Sequence, residues 1–380
     1  MVYDAIVLGL GGMGSATVYQ LALRRKRVLG IEQFTSPHAH GSSHGKTRVI
    51  RQSYYEDPAY VPLLLRAYEL WRQIEREAGV SLLSEVGGLM IGALDGEVVA
   101  GSIRSARAYG LNHEILDAEQ LQRRFPPLQP EARTFALYEK KAGVLLPEEG
   151  VRAHLNRAGA RGAELHFEEK ALGWDVAGQR IVVTTNLRKY ETAKLVITPG
   201  PWAPAMLADL GLPLAVERQV LYWFDPIGGV EPFRAERFPI FIWQIDGGVT
   251  LYGFPALDGA RGGVKVAFYR APVEEPCTSE TIDRNIRSGE VEGIRRALAG
   301  RIPSLNGRFL DGVTCMYTNT PDRNFVIATH PGCPQVSVAC GFSGHGYKFC
   351  SVVGEIMADL SISGATRHDI GLFSLKRLAT

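Results

Sequence analysis

Near its N-terminus the chain has two short apolar runs, at residues 3–8 and 28–31, with a stretch of helical pattern between them. Short apolar runs bounded by turn residues are typical of buried strands, whereas apolar residues spaced three to four apart indicate a helix. The pattern therefore predicts one strand–turn–helix–strand unit at the start of the chain.

Three later stretches also have helical periodicity. Residues 60–77 form an amphipathic pattern that ends at Gly79, and residues 147–159 form a second helical pattern. Residues 279–298 form the third, and Ser279 is its predicted N-cap. We expect a helix in each of these regions.

Between Arg218 and Arg270 the pattern changes to short aromatic and β-branched runs separated by glycine and proline. The runs are VLYWF, FIWQI, VTLYGF and VKVAFY. Such runs are typical of an antiparallel sheet. Other strand-like runs begin at residues 86 and 195, and residues 336–360 read as strand, glycine-rich turn and helix.

The turn after the first strand contains Gly9, Gly11 and Gly14 in the pattern G-x-G-x-x-G. These glycines permit a tight turn, close approach of the backbone to a pyrophosphate and close packing of helix on strand. Glu32 ends the second strand and is placed to accept a hydrogen bond from a ribose hydroxyl. An acid there disfavours the 2′-phosphate of NADP, so FAD and NAD are the cofactors left open.

These patterns predict a mixed α/β and α+β chain in which a Rossmann-like domain is interleaved with an antiparallel-sheet domain. The Rossmann-like domain is predicted over residues 1–80, 145–215 and 311–380, and the second domain over residues 81–144 and 216–310.

Composition and charge narrow the function further. The 380 residues are 46% hydrophobic, and 42 basic residues nearly balance 40 acidic ones. A net charge of +2 gives no broad field for nucleic acid or an anionic membrane. The five cysteines are odd in number and show no C-x-x-C pairing, so we expect a reducing, cytoplasmic setting without a disulfide scaffold or a metal site.

A second glycine-rich turn, Gly341 to Gly346, precedes the C-terminal helix and contains His345, and Lys348 stands at the opening of that helix. Backbone donors and one cation converge there on a place for an anion or a polarised ring. The alternative is a glycine-rich connection that carries a surface lysine.

Three segments carry a resemblance to a known family. They are SPHAHGSSHGKTRVIRQSYYEDPAYVPL at residues 36–63, CMYTNTPDRNFVI at 315–327 and GFSGHGYKF at 341–349. They resemble the monomeric sarcosine oxidases and N-methyltryptophan oxidases, which are FAD enzymes of the glycine oxidase and D-amino-acid oxidase superfamily. The resemblance extends over essentially the whole chain, and it implies FAD, an FAD-binding domain and a substrate domain.

The resemblance also implies roles for cofactor-binding residues. Cys315 matches the cysteine that bonds the flavin covalently, one FAD per chain, whereas a lone cysteine is otherwise more often a buried small hydrophobe. The other residues implied at the cofactor are Gly9, Gly11, Gly12, Met13, Gly14, Glu32, Gln33, Gly41, Ser42, Ser43, His44, Arg48, Ala171, Gly200, Trp202, Met316, Gly341, Phe342, Gly344, His345, Gly346 and Lys348.

On the substrate side, Arg51 and Lys348 match the pair that holds the substrate carboxylate, a sensible use of a guanidinium fork and a point charge. Lys265 matches the lysine that assists oxygen activation, although strand alternation could instead point it to solvent. Tyr252 and Tyr317 match residues that line the substrate pocket.

Two departures from the sarcosine oxidase pattern lie on this side. Tyr269 stands where those enzymes have a histidine, and the 253–264 loop is two residues longer and contains Arg261. Trp243 is also expected to face the pocket.

The resemblance implies an oxidase that converts sarcosine or a related N-methyl amino acid, O2 and water to the primary amino acid, formaldehyde and H2O2. It implies a monomer that acts on small molecules and binds neither nucleic acid nor membrane. Alternatives are an oxidase of a cyclic or bulkier amine, such as pipecolate, proline or N-methyltryptophan, a quinone-linked dehydrogenase, and a flavoprotein in which FAD is structural.

Overall fold

The computed structural model describes residues 2–378, with the side chains of Asp246, Ala260 and Arg261 outside that description. Arg261, which we singled out in the long loop, therefore lies outside the described side chains. The helices are α1 (Gly12–Leu23), α2 (Val61–Ala78), α3 (Glu97–Ala108), α4 (Ala118–Arg124), α5 (Pro147–Gly159), α6 (Ala203–Met206), α7 (Gly259–Gly262), α8 (Ser288–Ala299) and α9 (Cys350–Ser363). None of the helices in the described part of the chain is both long and apolar enough to span a bilayer.

The strands form three sheets. They are β1 (Val2–Leu8), β2 (Val28–Ile31), β3 (Arg48–Ile50), β4 (Leu83–Ser84), β5 (Gly88–Ala93), β6 (Glu114–Asp117), β7 (Thr134–Glu139), β8 (Gly143–Leu145), β9 (Glu164–His166), β10 (Ala171–Ala177), β11 (Arg180–Thr185), β12 (Lys189–Ile197), β13 (Ala215–Asp225), β14 (Ile240–Gln244), β15 (Thr250–Gly253), β16 (Val264–Arg270), β17 (Arg308–Asn319), β18 (Val326–His330) and β19 (Cys333–Cys340).

The first sheet has a parallel centre in the order β9-β2-β1-β12-β19, flanked by the antiparallel strands β10, β11 and β18. All four residues of β2 and the last four of β1 are buried, as expected for strands covered on both faces. Helix α1 packs against α5 and α9 on one of these faces. The carboxyl ends of β1, β2, β12 and β19 consequently meet at one edge of the sheet.

The second sheet has the order β17-β13-β16-β15-β14-β5-β7-β6 and is antiparallel except for the β14–β5 pair. One face buries an aromatic core that includes Phe224, Phe241 and Trp243. A small third sheet, β3-β8-β4, lies at the start of the segment that carries Arg48 and Arg51.

The predicted mixed fold is confirmed, and α5 has the predicted bounds. Helix α2 ends at Gly79, which adopts the left-handed conformation (φ 67°) that closes many helices. The strand–turn–helix–strand unit is also present as β1, α1 and β2. The domain boundaries stay a prediction. Most of β17 lies in the 311–380 segment that we predicted for the Rossmann-like domain, but this strand pairs within the second sheet.

The predicted start of the third helix was wrong, because α8 begins at Ser288 rather than near Ser279. The buried guanidinium of Arg218 binds the carbonyl oxygens of Asp283 and Asn285. In a helix these carbonyl oxygens would accept hydrogen bonds from backbone N–H groups of the next turn. Here they accept from the Arg218 side chain instead. Glu290 then receives the backbone N–H of Arg287, where α8 starts.

Candidate active site

A cavity of about 790 Å³ lies at the edge where the parallel strands of the first sheet end. We call it the large cavity. It is lined by residues at the ends of four strands: Leu8, Gly9, Ile31, Glu32, Thr198 and Gly341. Open α/β sheets bind nucleotides at this position, and the volume is in the range of sites for large cofactors.

Two glycines of the first turn are required by close approaches of the backbone. A Cβ on Gly9 would lie 2.5 Å from the Thr198 carbonyl oxygen, and one on Gly14 would lie 1.7 Å from the Gly9 oxygen. Gly14 therefore packs α1 onto β1 and is not among the residues that line the large cavity. The first turn leaves a backbone cradle open at the start of α1, which fits a pyrophosphate.

Glu32 lies at the end of β2 and lines the large cavity. Its carboxylate accepts hydrogen bonds from the backbone N–H groups of Leu10 at 2.8 Å and Phe34 at 3.2 Å. These bonds fix its orientation, and each oxygen retains a further lone pair for a ribose hydroxyl.

Most of the other residues expected at the cofactor also line the large cavity. They are Gly11, Gly12, Met13, Gln33, Gly41, Ser42, Ser43, Arg48, Ala171, Gly200, Trp202, Cys315, Met316, Phe342, Gly344 and Gly346. The Ser43 hydroxyl oxygen accepts from Gly12 N–H at 3.0 Å, and the Ser42 hydroxyl donates to the Met316 carbonyl at 2.7 Å. The 41–48 loop is thereby tied to both α1 and β17.

His44 belongs to the same loop, but it is not among the lining residues. Its side chain is buried, and Nε2 has no hydrogen-bond partner within the described residues. Burial and the neighbouring charges of Arg48 and Lys265 lower the pKa of His44 to about 3. The imidazole is therefore neutral at physiological pH.

Cys315 lies on β17 where the large cavity meets a second, smaller cavity. Its Sγ is 3.7 Å from Nη2 of Arg48, whose guanidinium also donates to the Ser42 carbonyl at 2.8 Å. The thiol thus lies at the wall that the two cavities share, in contact with the Arg48 guanidinium.

The second cavity, of about 60 Å³, is called the inner cavity. It brings together Arg51, Lys348, His345, Tyr252, Tyr269 and Tyr317. The residues that line both cavities are Arg48, Cys315, Tyr317, Gly344 and Tyr347. All the residues predicted on the substrate side therefore meet at one place, with the exception of Lys265 and Trp243.

Arg51 is 1% exposed and forms an ion pair with Glu56, in which its Nη2 donates to both carboxylate oxygens at 2.8 and 2.6 Å. The rings of Tyr54 and Tyr55 lie 4.1 and 4.3 Å from the guanidinium carbon. Burial opposes ionisation of Glu56, but the Arg51 charge holds the pKa of that carboxyl below its usual value. An internal carboxylate thus occupies the guanidinium that we predicted to bind a substrate carboxylate.

The Lys348 ammonium is buried and donates to the His345 carbonyl at 2.7 Å. The His345 ring is fixed by Tyr54, whose hydroxyl lies 2.5 Å from Nδ1. Burial and the Arg51 charge lower the pKa of Lys348 to about 7. The charge of the inner cavity therefore changes near neutral pH.

Lys265 is also buried, so its side chain does not point to solvent. It lines a separate pocket of about 310 Å³, whose walls also include Lys46 and Thr47. Its ammonium donates to the Gly45 carbonyl at 2.7 Å and to the carbonyl and hydroxyl of Thr47 at 2.9 and 3.0 Å. Burial and Arg48 lower the pKa of Lys265, whereas these three oxygens favour its charged form.

The expectation that Trp243 faces the substrate pocket was wrong. Trp243 is buried in the aromatic core on one face of β14, whereas its neighbour Ile242 lines the inner cavity. Alternate residues of a strand point to opposite faces of the sheet, so the error is one of register. Tyr269 does line the inner cavity.

Three carboxylates near the site were not found from the sequence. Glu56 pairs with Arg51, Glu148 accepts from the N–H groups of Gly45 and Lys46, and Glu139 accepts from those of Gln52 and Ser53. For Glu56 a signal existed, because an acid stands five residues after the predicted carboxylate ligand. Glu139 and Glu148 act across the fold and left no such local signal.

A sequence profile described as FAD dependent oxidoreductase matches residues 4–360 of the chain. The chain belongs to this family. It is 54% identical over 378 residues to a monomeric sarcosine oxidase from Streptomyces avermitilis, a match that covers 99% of this chain and 98% of the relative. It is 32% identical to an N-methyl-L-tryptophan oxidase from Salmonella enteritidis, over 100% of both chains.

Among solved structures, the L-proline dehydrogenase from P. horikoshii superposes with a TM-score of 0.84 at 24% identity, covering 99% of this chain and 97% of that one. At this identity the likeness concerns the fold. The family resemblance drawn from the three motif segments is confirmed, and the family's cofactor, FAD, fits the glycine cradle and the volume of the large cavity.

Proposed function

We propose that the protein is an FAD-dependent oxidase of secondary amines whose substrate is sarcosine or a similarly small N-methyl amino acid. Water and O2 are the co-substrates, and the products are the primary amino acid, formaldehyde and H2O2. The similarity to the sarcosine oxidases supports this reaction. The observation that carries it is the meeting of Arg51 and Lys348 in a small cavity that adjoins Cys315.

The large cavity would hold FAD, with the pyrophosphate at the first turn and the ribose at Glu32. We propose that Cys315 bonds the flavin covalently, one FAD per chain. The contact of Arg48 with Sγ supports this assignment, because it holds the sulfur at the wall of the large cavity. The loop bonds of Ser42 and Ser43 hold this corner of the cavity rigid.

Arg51 and Lys348 would hold the substrate carboxylate in the inner cavity. The contact of Arg51 Nη2 with both carboxylate oxygens of Glu56 supports this assignment, and substrate binding would replace this internal partner. The tyrosine-lined volume of about 60 Å³ favours a small amino acid over one with an indole ring. Tyr252, Tyr269 and Tyr317 close the walls and keep the amine apart from bulk water.

When bound, FAD supplies the chemistry of accepting a hydride equivalent from the N-methyl carbon and delivering two electrons to O2. The side chains of this protein would bind and orient the substrate and FAD and would supply charge near them. Lys265, whose ammonium is held by the Gly45 and Thr47 oxygens, would stabilise negative charge that develops on oxygen. We further propose a monomeric, cytoplasmic enzyme.

The test is an aerobic peroxide assay on the purified yellow protein with sarcosine, N-methyltryptophan, pipecolate and proline as separate substrates. We expect turnover to be fastest with sarcosine and to release formaldehyde in equal amount to peroxide. Peroxide from a cyclic amine alone would move the assignment to that class. Flavin reduction by sarcosine without peroxide, but with electron transfer to an added quinone, would identify a dehydrogenase.

A further inference from the structure

Glu139 is the last residue of β7, in the second sheet, and its side chain is 1% exposed. Its two carboxylate oxygens accept the backbone N–H groups of Gln52 at 2.8 Å and Ser53 at 2.7 Å. Burial raises the pKa of Glu139, although these two bonds and the Arg51 charge oppose the rise. Both carboxylate oxygens of this buried acid thus accept hydrogen bonds from two consecutive backbone N–H groups directly after Arg51.

These two amides belong to the turn that presents Arg51. The guanidinium Nη1 donates to the Ser53 carbonyl at 3.1 Å, so the same residue is bound by Glu139 through N–H and by Arg51 through C=O. Arg51 follows the three-residue strand β3 and lies beyond its last ladder bond. Glu139 therefore holds the turn at 52–53 from another part of the fold, and the Arg51 guanidinium is hydrogen-bonded to that turn.

We propose that Glu139 is a positioning residue for the substrate: it fixes the 52–53 turn so that the Arg51 guanidinium meets the substrate carboxylate in the inner cavity. This inference rests on the proposed function, because it assumes that Arg51 binds a carboxylate. Glu139 does not line the inner cavity and acts only through the turn.

The variant Glu139→Gln tests this role with minimal change of volume. Its single oxygen accepts only one of the two N–H groups well, and its amide nitrogen faces the other donor. A matched control is Glu217→Gln, since Glu217 is a buried acid of the same sheet whose partners are the side-chain amides of Gln219 and Asn319. If Glu139→Gln does not give folded protein, Glu139→Asp keeps the charge and shortens its reach.

Each FAD-loaded variant is assayed with sarcosine and with sarcosine methyl ester, whose carboxyl group carries no charge. We expect Glu139→Gln to raise KM for sarcosine about 10- to 100-fold, as a small misplacement of a positioning group does. The kcat and the KM for the ester should change little. Hydrogen–deuterium exchange should be faster at Gln52 and Ser53, and Glu217→Gln should show neither effect.

Three outcomes overturn the inference. One is an equal loss for acid and ester, another is faster exchange at the turn with unchanged KM for sarcosine, and the third is the same acid-to-ester shift in Glu217→Gln. Failure of the proposed function is seen separately, because the wild type would then give no peroxide with sarcosine or would treat acid and ester alike.

Discussion

Replacing Arg51 by alanine has two consequences of different origin that can be measured apart. The first concerns stability, because Arg51→Ala leaves the Glu56 carboxylate, which is 11% exposed, without its cationic partner. Breaking a buried ion pair from one side costs about 3–5 kcal/mol. The second concerns substrate binding, because one charge-assisted contact to the substrate carboxylate is lost, at a cost of about 2–5 kcal/mol, or roughly 30-fold to a few thousand-fold.

The double variant Arg51→Ala/Glu56→Gln separates these effects. Removing both partners leaves no unpaired buried charge, so we expect the free energy of unfolding to recover most of the loss. The KM for sarcosine should stay high, because the guanidinium is still absent. The single variant Glu56→Gln should do the reverse: it lowers stability by leaving Arg51 unpaired, and it lowers KM by removing the internal competitor for the guanidinium.

The assays are urea unfolding followed by fluorescence and steady-state peroxide kinetics with sarcosine and its methyl ester. The ester serves as the internal control, because it lacks the charge that Arg51 binds. Arg51 does not bind the substrate carboxylate if Arg51→Ala discriminates between acid and ester as the wild type does. The same conclusion follows if the double variant recovers the wild-type KM for sarcosine together with its stability.

Cys315, Lys265 and Lys348 each give one further prediction. In the wild type, acid precipitation should leave the yellow colour in the protein pellet, and Cys315→Ala should release it; free FAD in the wild-type supernatant would argue against the covalent bond. Lys265→Met should leave anaerobic flavin reduction by sarcosine comparatively fast and slow reoxidation by O2 by roughly 100-fold, and stopped-flow absorbance of the two halves would expose an unchanged reoxidation rate. Because burial and Arg51 lower the pKa of Lys348 to about 7, its ammonium is present below that pH and is lost above it. The kcat/KM for sarcosine of Lys348→Arg, which stays charged, should therefore rise relative to the wild type between pH 6 and 9, and a ratio independent of pH would contradict this titration.

The parts of the fold that local pattern determines could be predicted from the sequence. The glycines of the first turn, the buried strand Val28–Ile31 that precedes Glu32 and the helix Pro147–Gly159 depend on neighbours within a few residues along the chain. The prediction that Arg51 and Lys348 share one cavity depended on the family resemblance. The two residues are far apart in sequence and meet only through the fold.

The parts that depend on tertiary contacts could not be predicted. Helix α8 begins later in the chain than predicted because Arg218, on β13, binds carbonyl groups that a longer helix would use for its own hydrogen bonds. The side of the sheet that Trp243 faces depends on strand register, where a shift of one residue exchanges the two faces. Glu139 and Glu148 bind backbone amides across the fold, and nothing in the sequence near either acid indicates those partners.

An anaerobic single turnover of the FAD-loaded protein with sarcosine, followed by admission of O2, tests whether the inner cavity binds an N-methyl amino acid whose methyl carbon is oxidised. We expect loss of the oxidised-flavin absorbance with release of one formaldehyde and one glycine per flavin, and then one H2O2 per flavin as the absorbance returns. Flavin that stays oxidised in the presence of sarcosine, or that is reduced without release of formaldehyde, would rule out this reaction.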